Sequence, residues 1–194
     1  MTKRFCVFCG SSFGARESYS VAATSLARQL VANGITIVYG GSRLGLMGKL
    51  ADTALAAGGE VIGVMPRALV EKEASHPGLS DLRIVGSMHE RKAKMAELSD
   101  AFIALPGGYG TFEEFCEVLT WTQLGLHRKP CGILNIEGYY DPLLSLFDRA
   151  VTEQFLKPVH RQIVISDGCP ESLVSRVLEC VPPLVDKWLD RKQI

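Results

Sequence analysis

The sequence has 194 residues, of which 47% are hydrophobic and 22% are charged, a composition typical of a globular chain rather than a disordered one. Its length predicts a single domain spanning residues 1–194. The formal net charge of +0 excludes the overall positive field that attracts nucleic-acid polymers or anionic membranes, and no apolar run approaches the roughly 20 residues that span a bilayer.

Short β-rich runs alternate with amphipathic helical stretches along the chain. The predicted strands are Arg4–Cys9, Ile35–Tyr39, Glu60–Met65, Leu82–Val85, Ala101–Leu105, Cys131–Ile136 and Gln162–Ser166. The predicted helices are Arg16–Asn33, Leu46–Ala57, Met88–Ser99, Thr111–Leu126, Pro142–Glu153 and Pro170–Cys180, followed by a polar tail at Trp188–Ile194. Several strands are continuous apolar runs, as expected where helices cover both faces of a parallel sheet. The pattern predicts an α/β fold, a doubly wound Rossmann-like parallel sheet of about seven strands flanked by helices.

The six cysteines are scattered along the chain, which favours a reduced, cytoplasmic protein over a secreted disulfide framework. Cys6 and Cys9 form a C-x-x-C pattern, but strand positions three apart point to opposite faces of a sheet. Packing in the core is therefore favoured over thiol chemistry. The four histidines are isolated and show no metal-ligand spacing, so neither a metal nor another cofactor is expected.

Three predicted strands end in glycine-rich segments. They are Gly10-Ser11-Ser12, Gly40-Gly41-Ser42 with its continuation to Gly48, and Pro106-Gly107-Gly108-Tyr109-Gly110-Thr111. Each segment alone is explained by a tight turn between strand and helix. Ligands of doubly wound sheets bind at the carboxyl ends of the strands, and glycines let backbone amides approach a phosphate closely. Together the three segments favour a site for a mononucleotide or a sugar phosphate.

The helix that follows the third glycine segment carries two acidic residues, Glu113 and Glu114. At about 100° per residue, a core-facing stripe through Phe112, Phe115, Cys116, Leu119 and Gln123 places Glu114 on the outer side, in the first turn. Val118 and Trp121 fall on the same outer side, and an exposed apolar pair there suggests a subunit interface. Acids are also favoured in a first helical turn by the helix dipole alone, so a structural role for Glu113 and Glu114 stays open.

The preceding helix is expected to begin with a capping box of Ser87 and Glu90. Arg91 and Lys92 then lie early in that helix, where the dipole disfavours cations. They are either two solvated side chains or the partners of an anion.

Three motifs occur in one chain: P-G-G-x-G-T-x-x-E at Pro106–Glu114, M-H-E-R-K at Met88–Lys92, and G-G-S at Gly40–Ser42 followed by G-L-M-G at Gly45–Gly48. With Cys9–Ser11, Trp121–Gly125 and Gly138–Tyr140, their order and spacing cover nearly the whole sequence. This set strongly resembles the LONELY GUY (LOG) family of cytokinin riboside 5′-monophosphate phosphoribohydrolases.

The resemblance implies hydrolysis of the N-glycosidic bond of an N6-modified AMP, or of AMP itself, to a free base and ribose 5-phosphate. It implies that Arg91 and Glu114 form the catalytic pair, and that Glu73, Lys92 and the stretch Gly108–Glu114 bind the nucleotide. It also implies a homodimer with the site near the subunit interface.

These residue types suit glycosidic cleavage. A carboxylate such as Glu114 stabilises an oxocarbenium-like sugar or activates water. Arg91 would bind the 5′-phosphate or assist the departing base, and backbone amides at Gly107, Gly108, Gly110 and Thr111 would hold the phosphate.

Two other functions are considered for this scaffold. One is a non-enzymatic nucleotide sensor or carrier, which the fold alone would permit. The other is a pyridoxal phosphate-dependent lysine decarboxylase, a label that the resembled family also carries, but no lysine lies in a context that suggests a Schiff base.

Overall fold

The structure is a computed structural model that describes residues 2–71, 75–79 and 81–183. Seven strands form one sheet: β1 (Arg4–Phe8), β2 (Thr36–Tyr39), β3 (Val61–Pro66), β4 (Asp81–Val85), β5 (Ala101–Ala104), β6 (Cys131–Leu134) and β7 (Val164–Asp167). The helices are α1 (Glu17–Ala32), α2 (Gly45–Ala56), α3 (Arg67–Val70), α4 (Met88–Leu98), α5 (Tyr109–Gln123), α6 (Asp141–Thr152), α7 (Pro158–Arg161) and α8 (Pro170–Glu179), with a 3₁₀ turn at Ile136–Gly138. The predicted tail Trp188–Ile194 lies outside the described residues.

All strand pairs are parallel, and their order across the sheet is β4-β3-β2-β1-β5-β6-β7. The order reverses direction between β1 and β5, which is the topological switch point where doubly wound sheets bind ligands. The predicted fold class is confirmed.

Hydrophobic cores lie on both faces of the sheet, because β1, β2, β3, β5 and β6 are buried along nearly their whole length. Cys6 belongs to the core on one face and Cys9 to the core on the other, and both are free thiols. The prediction that this C-x-x-C pattern packs in the core is confirmed. In the described part of the chain, no helix is both long and apolar enough to cross a membrane.

Most predicted boundaries differ from the structure by one or two residues. The main difference is α5, which begins at Tyr109 with Gly108 as its N-cap and ends at Gln123. Short helices α3 and α7 and the 3₁₀ turn were not predicted, because three or four residues are too few to show a helical period. Ser87 caps α4 as expected, accepting a hydrogen bond from Glu90 N at 3.1 Å, but the Glu90 carboxylate bonds the Gly86 amide rather than the Ser87 amide.

Candidate active site

A cavity of about 320 Å³ opens at the carboxyl ends of β1 and β5. Gly10, just after β1, donates its amide to the carbonyl of Pro106 after β5 at 3.1 Å, so the two loops meet at the switch point. Gly10 and Ser11 line the cavity from one side. Gly108 and Gly110 line it from the other.

The glycines in the loop from Pro106 to Thr111 have two different surroundings. A Cβ on Gly107 would lie 2.1 Å from the Thr111 hydroxyl and 2.8 Å from the Gly10 amide nitrogen, so only glycine fits between these groups. A Cβ on Gly108 or Gly110 would meet nothing within 4 Å, so the backbone there is open to the cavity. The first amides of an α-helix have no partner within the helix, and the start of α5 is therefore suited to an anion.

Arg91 and Glu114 form a buried ion pair at this cavity. Arg91 Nη1 donates to Glu114 Oε1 at 3.0 Å, and Arg91 Nε donates to the Val64 carbonyl at 3.0 Å. The two side chains are only 12% and 10% exposed, and both line the cavity. Arg91 therefore joins α4, β3 and α5 and fixes the carboxylate of Glu114 against the glycine loop.

The pair depends on Gly40, which follows β2 and also lines the cavity. A Cβ at Gly40 would lie 2.1 Å from Arg91 Nη2, far inside the van der Waals contact distance. The absence of a side chain at Gly40 makes the room that the guanidinium occupies. Sequence reasoning placed Gly40 in a glycine-rich loop but missed this role.

The surroundings of Glu114 raise its pKa above the ordinary value for a glutamate. Burial raises the pKa of Glu114, the Arg91 guanidinium lowers it, and the Glu113 carboxylate raises it again, with a net shift upward. A carboxyl group with a raised pKa holds its proton more tightly and is a stronger base when ionised than an ordinary surface glutamate, which suits general acid or base catalysis.

Lys92 binds two carboxylates instead of facing the cavity. Its ammonium group pairs with Glu113 and, at 3.0 Å, with Glu117. Burial lowers the pKa of Lys92, while its hydrogen bonds to Glu113 and Glu117 raise it, and the net shift is upward. Lys92 therefore braces α4 against α5 beside the Arg91–Glu114 pair.

The structure separates the remaining predicted site residues into two groups. Tyr109 is 93% exposed at the cavity mouth, and Thr111 and Glu113 also line the cavity. Gly41 and Ser42 do not line it: the Gly41 carbonyl accepts from the His76 amide, and Ser42 forms a bridge with Ser75. Glu73 lies outside the described residues.

The predicted orientation of α5 was wrong. Glu114 is 8% exposed and faces the protein interior, and Val118 is 3% exposed within the core, while Trp121 is half-buried. The buried face of α5 runs through Thr111, Glu114, Phe115, Val118 and Thr122.

Two physical features explain this correction. Arg91 neutralises Glu114 from another helix, which allows a carboxylate on the buried face. Phe112, assigned to the core stripe, is only partly buried at the edge of the core, where it packs against the rings of Tyr139 and Tyr140. Because α5 begins at Tyr109, its first turn contains no acidic residue, so the helix dipole does not account for Glu113 or Glu114.

One wall of the cavity is apolar and was not predicted. It consists of Met47, Leu69, Met88 and Met95, from α2, α3 and α4. Unbranched, polarizable methionines adapt to ligands of irregular shape. A signal for part of this wall was available in the methionines that stand inside the Gly45–Gly48 and Met88–Lys92 motifs. Across the described ranges, no group of three or more His, Cys, Asp or Glu side chains is placed to hold a metal ion.

The fold and the site define a class of protein: a Rossmann-like α/β domain with a glycine-rich loop and a buried arginine–glutamate pair at the switch point. Comparison with known sequences narrows this class to a family. A family model described as "possible lysine decarboxylase" matches residues 47–177.

Curated relatives align along almost the whole chain. The probable cytokinin riboside 5′-monophosphate phosphoribohydrolase LOGL9 of Oryza sativa subsp. japonica is 53% identical over 180 residues, covering 93% of this chain and 79% of the relative. The cytokinin riboside 5′-monophosphate phosphoribohydrolase LOG5 of Arabidopsis thaliana is 51% identical over 184 residues, covering 95% and 80%. This chain belongs to the LONELY GUY (LOG) family.

Among solved structures, the molybdenum cofactor carrier protein of Chlamydomonas reinhardtii superposes with a TM-score of 0.70 at 20% identity, covering 93% of this chain and all of the carrier chain. At that identity, the likeness shows a shared fold and carries no statement about function.

Proposed function

We propose that this protein hydrolyses the N-glycosidic bond of AMP-type nucleotides, above all those with a modified N6 group. Water adds its hydroxyl to the anomeric carbon of the ribose, and the bond to the base breaks. The base leaves with the remaining proton, and ribose 5-phosphate is the second product. The observation that carries this proposal is the buried Arg91–Glu114 pair facing the glycine-loop cavity, in a chain half identical to relatives named for this reaction.

The geometry suggests a division of roles. The start of α5 with Gly108, Gly110 and Thr111 would hold the 5′-phosphate through backbone amides. Glu114 would stabilise the positive charge that develops on the ribose, or take a proton from the attacking water. Two guanidinium nitrogens of Arg91 already bond protein oxygens, which favours a role in orienting Glu114 and keeping it ionised.

The apolar wall supports the preference for a modified base. An N6 substituent of hydrocarbon character would bury its surface against Met47, Leu69, Met88 and Met95, at roughly 25 cal/mol for each Å² removed from water. AMP lacks this contact. The modified nucleotide is therefore expected to have the lower KM.

The observations weigh against the two other functions. A carrier that only binds an anion gains nothing from a buried carboxylate beside it, because the two negative charges repel each other. A decarboxylase would need a neutral lysine to form a Schiff base with pyridoxal phosphate, whereas Lys92 is paired with two glutamates that keep it charged. Bound pyridoxal phosphate would also absorb at roughly 400 nm.

A product assay tests the proposal. Purified protein is incubated with AMP and with isopentenyladenosine 5′-monophosphate, and the products are separated by chromatography. Free base and ribose 5-phosphate in equal amounts are expected. Release of inorganic phosphate with an intact nucleoside, or no product from either nucleotide, would contradict it.

We further propose a homodimer in which a second copy covers the cavity mouth. Tyr109 and Met88 line the cavity, yet they are 93% and 44% exposed to solvent. Exposed apolar side chains beside a site favour a protein interface. Light scattering during size-exclusion chromatography should give twice the mass of the chain, and a fully active monomer would contradict the proposal.

We also propose a cytoplasmic, reducing location. All six cysteines are free, including the exposed Cys169, as expected where thiols are kept reduced. Fractionation of the source cells with an antibody against the protein tests this, and enrichment in a secreted fraction would contradict it.

A further inference from the structure

Three successive carbonyls before α5 each accept a hydrogen bond, two from the adjacent residues Tyr139 and Tyr140 and one from Gly10. The Tyr140 hydroxyl donates to Leu105 O at 2.6 Å, and the Gly10 amide donates to Pro106 O at 3.1 Å. The Tyr139 hydroxyl donates to Gly107 O at 2.5 Å. The glycine loop is thus held by Tyr139 and Tyr140, which do not line the cavity, and by Gly10, which does.

A hydrogen bond that fixes the direction of a carbonyl also fixes the direction of the amide N–H in the same peptide unit. A trans peptide unit is planar, so its N–H points opposite to its C=O. When Tyr139 holds the Gly107 carbonyl, the N–H of Gly108 in the same peptide unit is turned the other way, toward the cavity that Gly108 lines. We propose that Tyr139 is a positioning residue that aims the Gly108 amide at the phosphate of the substrate. This inference rests on the proposed function for the identity of that anion.

The turn before Tyr139 has a strained backbone and is held by side-chain hydrogen bonds. Glu137 has φ 51° and Gly138 has φ 72°, so two consecutive residues adopt the left-handed conformation, which is unfavourable for a residue with a side chain such as Glu137. Asn135 secures the turn by accepting from the Tyr140 amide and donating to Asp141, each at 2.7 Å. Backbone strain maintained by such a network is frequent where a functional group must be positioned.

The Tyr139 ring is clamped as well. Its centroid lies 5.1 Å from that of Tyr140 and 5.7 Å from that of Tyr19, both in edge-to-face arrangements, and 6.4 Å from that of Phe112. A ring held by three neighbours leaves its hydroxyl little freedom, so the bond to the Gly107 carbonyl keeps one direction.

Tyr140 provides an internal contrast. The peptide unit whose carbonyl it holds joins Leu105 to Pro106, and proline has no N–H. Tyr140 therefore fixes the loop without aiming an amide. Loss of its hydroxyl should affect stability, whereas loss of the Tyr139 hydroxyl should affect recognition of the phosphate.

Binding measurements in a protein that does not turn over separate these effects. In the Glu114→Gln background, dissociation constants of AMP and of adenosine are measured by calorimetry with and without Tyr139→Phe. We expect Tyr139→Phe to weaken AMP binding about tenfold, the usual scale for one hydrogen bond to a charged group, and to change adenosine binding less than twofold. Tyr19→Phe, which removes a hydroxyl from the same aromatic cluster, should change neither ligand. Tyr140→Phe should lower Tm and leave the ratio of the two constants unchanged.

Equal weakening of AMP and adenosine by Tyr139→Phe would overturn the inference, because it would show only a general disturbance of the site. Unchanged AMP binding would overturn it too. Failure of the proposed function can be told apart from failure of this inference. If the wild-type protein releases no base while Tyr139→Phe still weakens AMP binding selectively, the positioning role of Tyr139 is supported and the proposed hydrolase activity is refuted.

Discussion

Replacing Gly40 with alanine should reduce turnover without unfolding the protein. The new Cβ would lie 2.1 Å from Arg91 Nη2, and ordinary contact between heavy atoms begins near 3.5 Å. The guanidinium must therefore move by more than ~1 Å, which breaks its 3.0 Å bond to Glu114. Misplacement of this size lowers kcat about 100-fold in enzymes that depend on geometry. The clash involves the end of a flexible side chain, so the stability loss should stay near that of one hydrogen bond to a charged group, about 1.5–3 kcal/mol.

The assay compares initial rates of base release by Gly40→Ala, wild type and Gly168→Ala, together with their thermal unfolding. Gly168 is a matched control because its added Cβ would meet only the Asn135 carbonyl, at 3.6 Å, outside the cavity. Gly168→Ala should keep the wild-type rate. A Gly40→Ala protein with normal kcat would refute the reasoning that Gly40 makes room for a catalytically required Arg91 position, and a protein that no longer folds would refute the claim that the clash is local.

Three further predictions concern charge and helix capping. Arg91→Gln removes the cation that lowers the pKa of Glu114, so the acidic limb of the kcat profile should move to higher pH, and an unmoved limb would exclude Glu114 as the group that must be ionised. Burial lowers the pKa of His127 to about 4, so the unfolded state takes up its proton near pH 6.5 while the folded state does not. Stability should therefore fall as pH drops from about 6.5 toward 4, and the plot of Tm against pH should be flatter for His127→Asn; parallel plots would contradict this. Ser87→Ala removes the cap bonded by Glu90 N and should cost about 1 kcal/mol in the free energy of unfolding, measured by urea denaturation, with no change in m-value.

The fold was accessible from sequence because a parallel sheet covered on both faces produces continuous apolar strands. Runs such as Ala101–Leu105 contain no polar residue that would suggest an exposed face, and glycines mark the points where strands give way to helices. These signals are local, so one sequence is enough to read them. The glycine loops at the switch point followed from the same pattern.

The orientation of α5 could not be read in the same way. The helix carries apolar residues around much of its surface: Val118 is buried in the core, while Phe112 and Trp121 are partly buried against it. The buried position of Glu114 depends on Arg91, which lies on a different helix. The periodicity of one helix contains no information about a charge supplied by another element. The helical spacing of about 100° per residue therefore placed the Glu114 carboxylate on the wrong side of α5.

The roles of Gly40 and Tyr139 are likewise set by tertiary structure. Gly40 matters because the Arg91 guanidinium, 51 positions along the chain, comes to rest against it. Tyr139 matters because a left-handed turn at Glu137 and Gly138 brings its hydroxyl to the Gly107 carbonyl. In a sequence alone, a glycine within a glycine-rich loop indicates only a tight turn, and a tyrosine near a turn indicates no particular contact.

The central claim is that Glu114, held by Arg91, carries out hydrolysis of the glycosidic bond. The most direct test is the rate at which Glu114→Gln releases base from isopentenyladenosine 5′-monophosphate, compared with wild type and with Glu97→Gln. Glu97 is an exposed glutamate that pairs with Lys94 on the outside of α4, so its loss should leave the rate unchanged. Glu114→Gln removes the carboxylate that pairs with Arg91, so it should lower the stability by about 1.5–3 kcal/mol while the protein stays folded and still binds nucleotide. It should lose about 10³-fold in kcat, within the usual range for removing a general acid or base. A rate within tenfold of wild type would contradict the account.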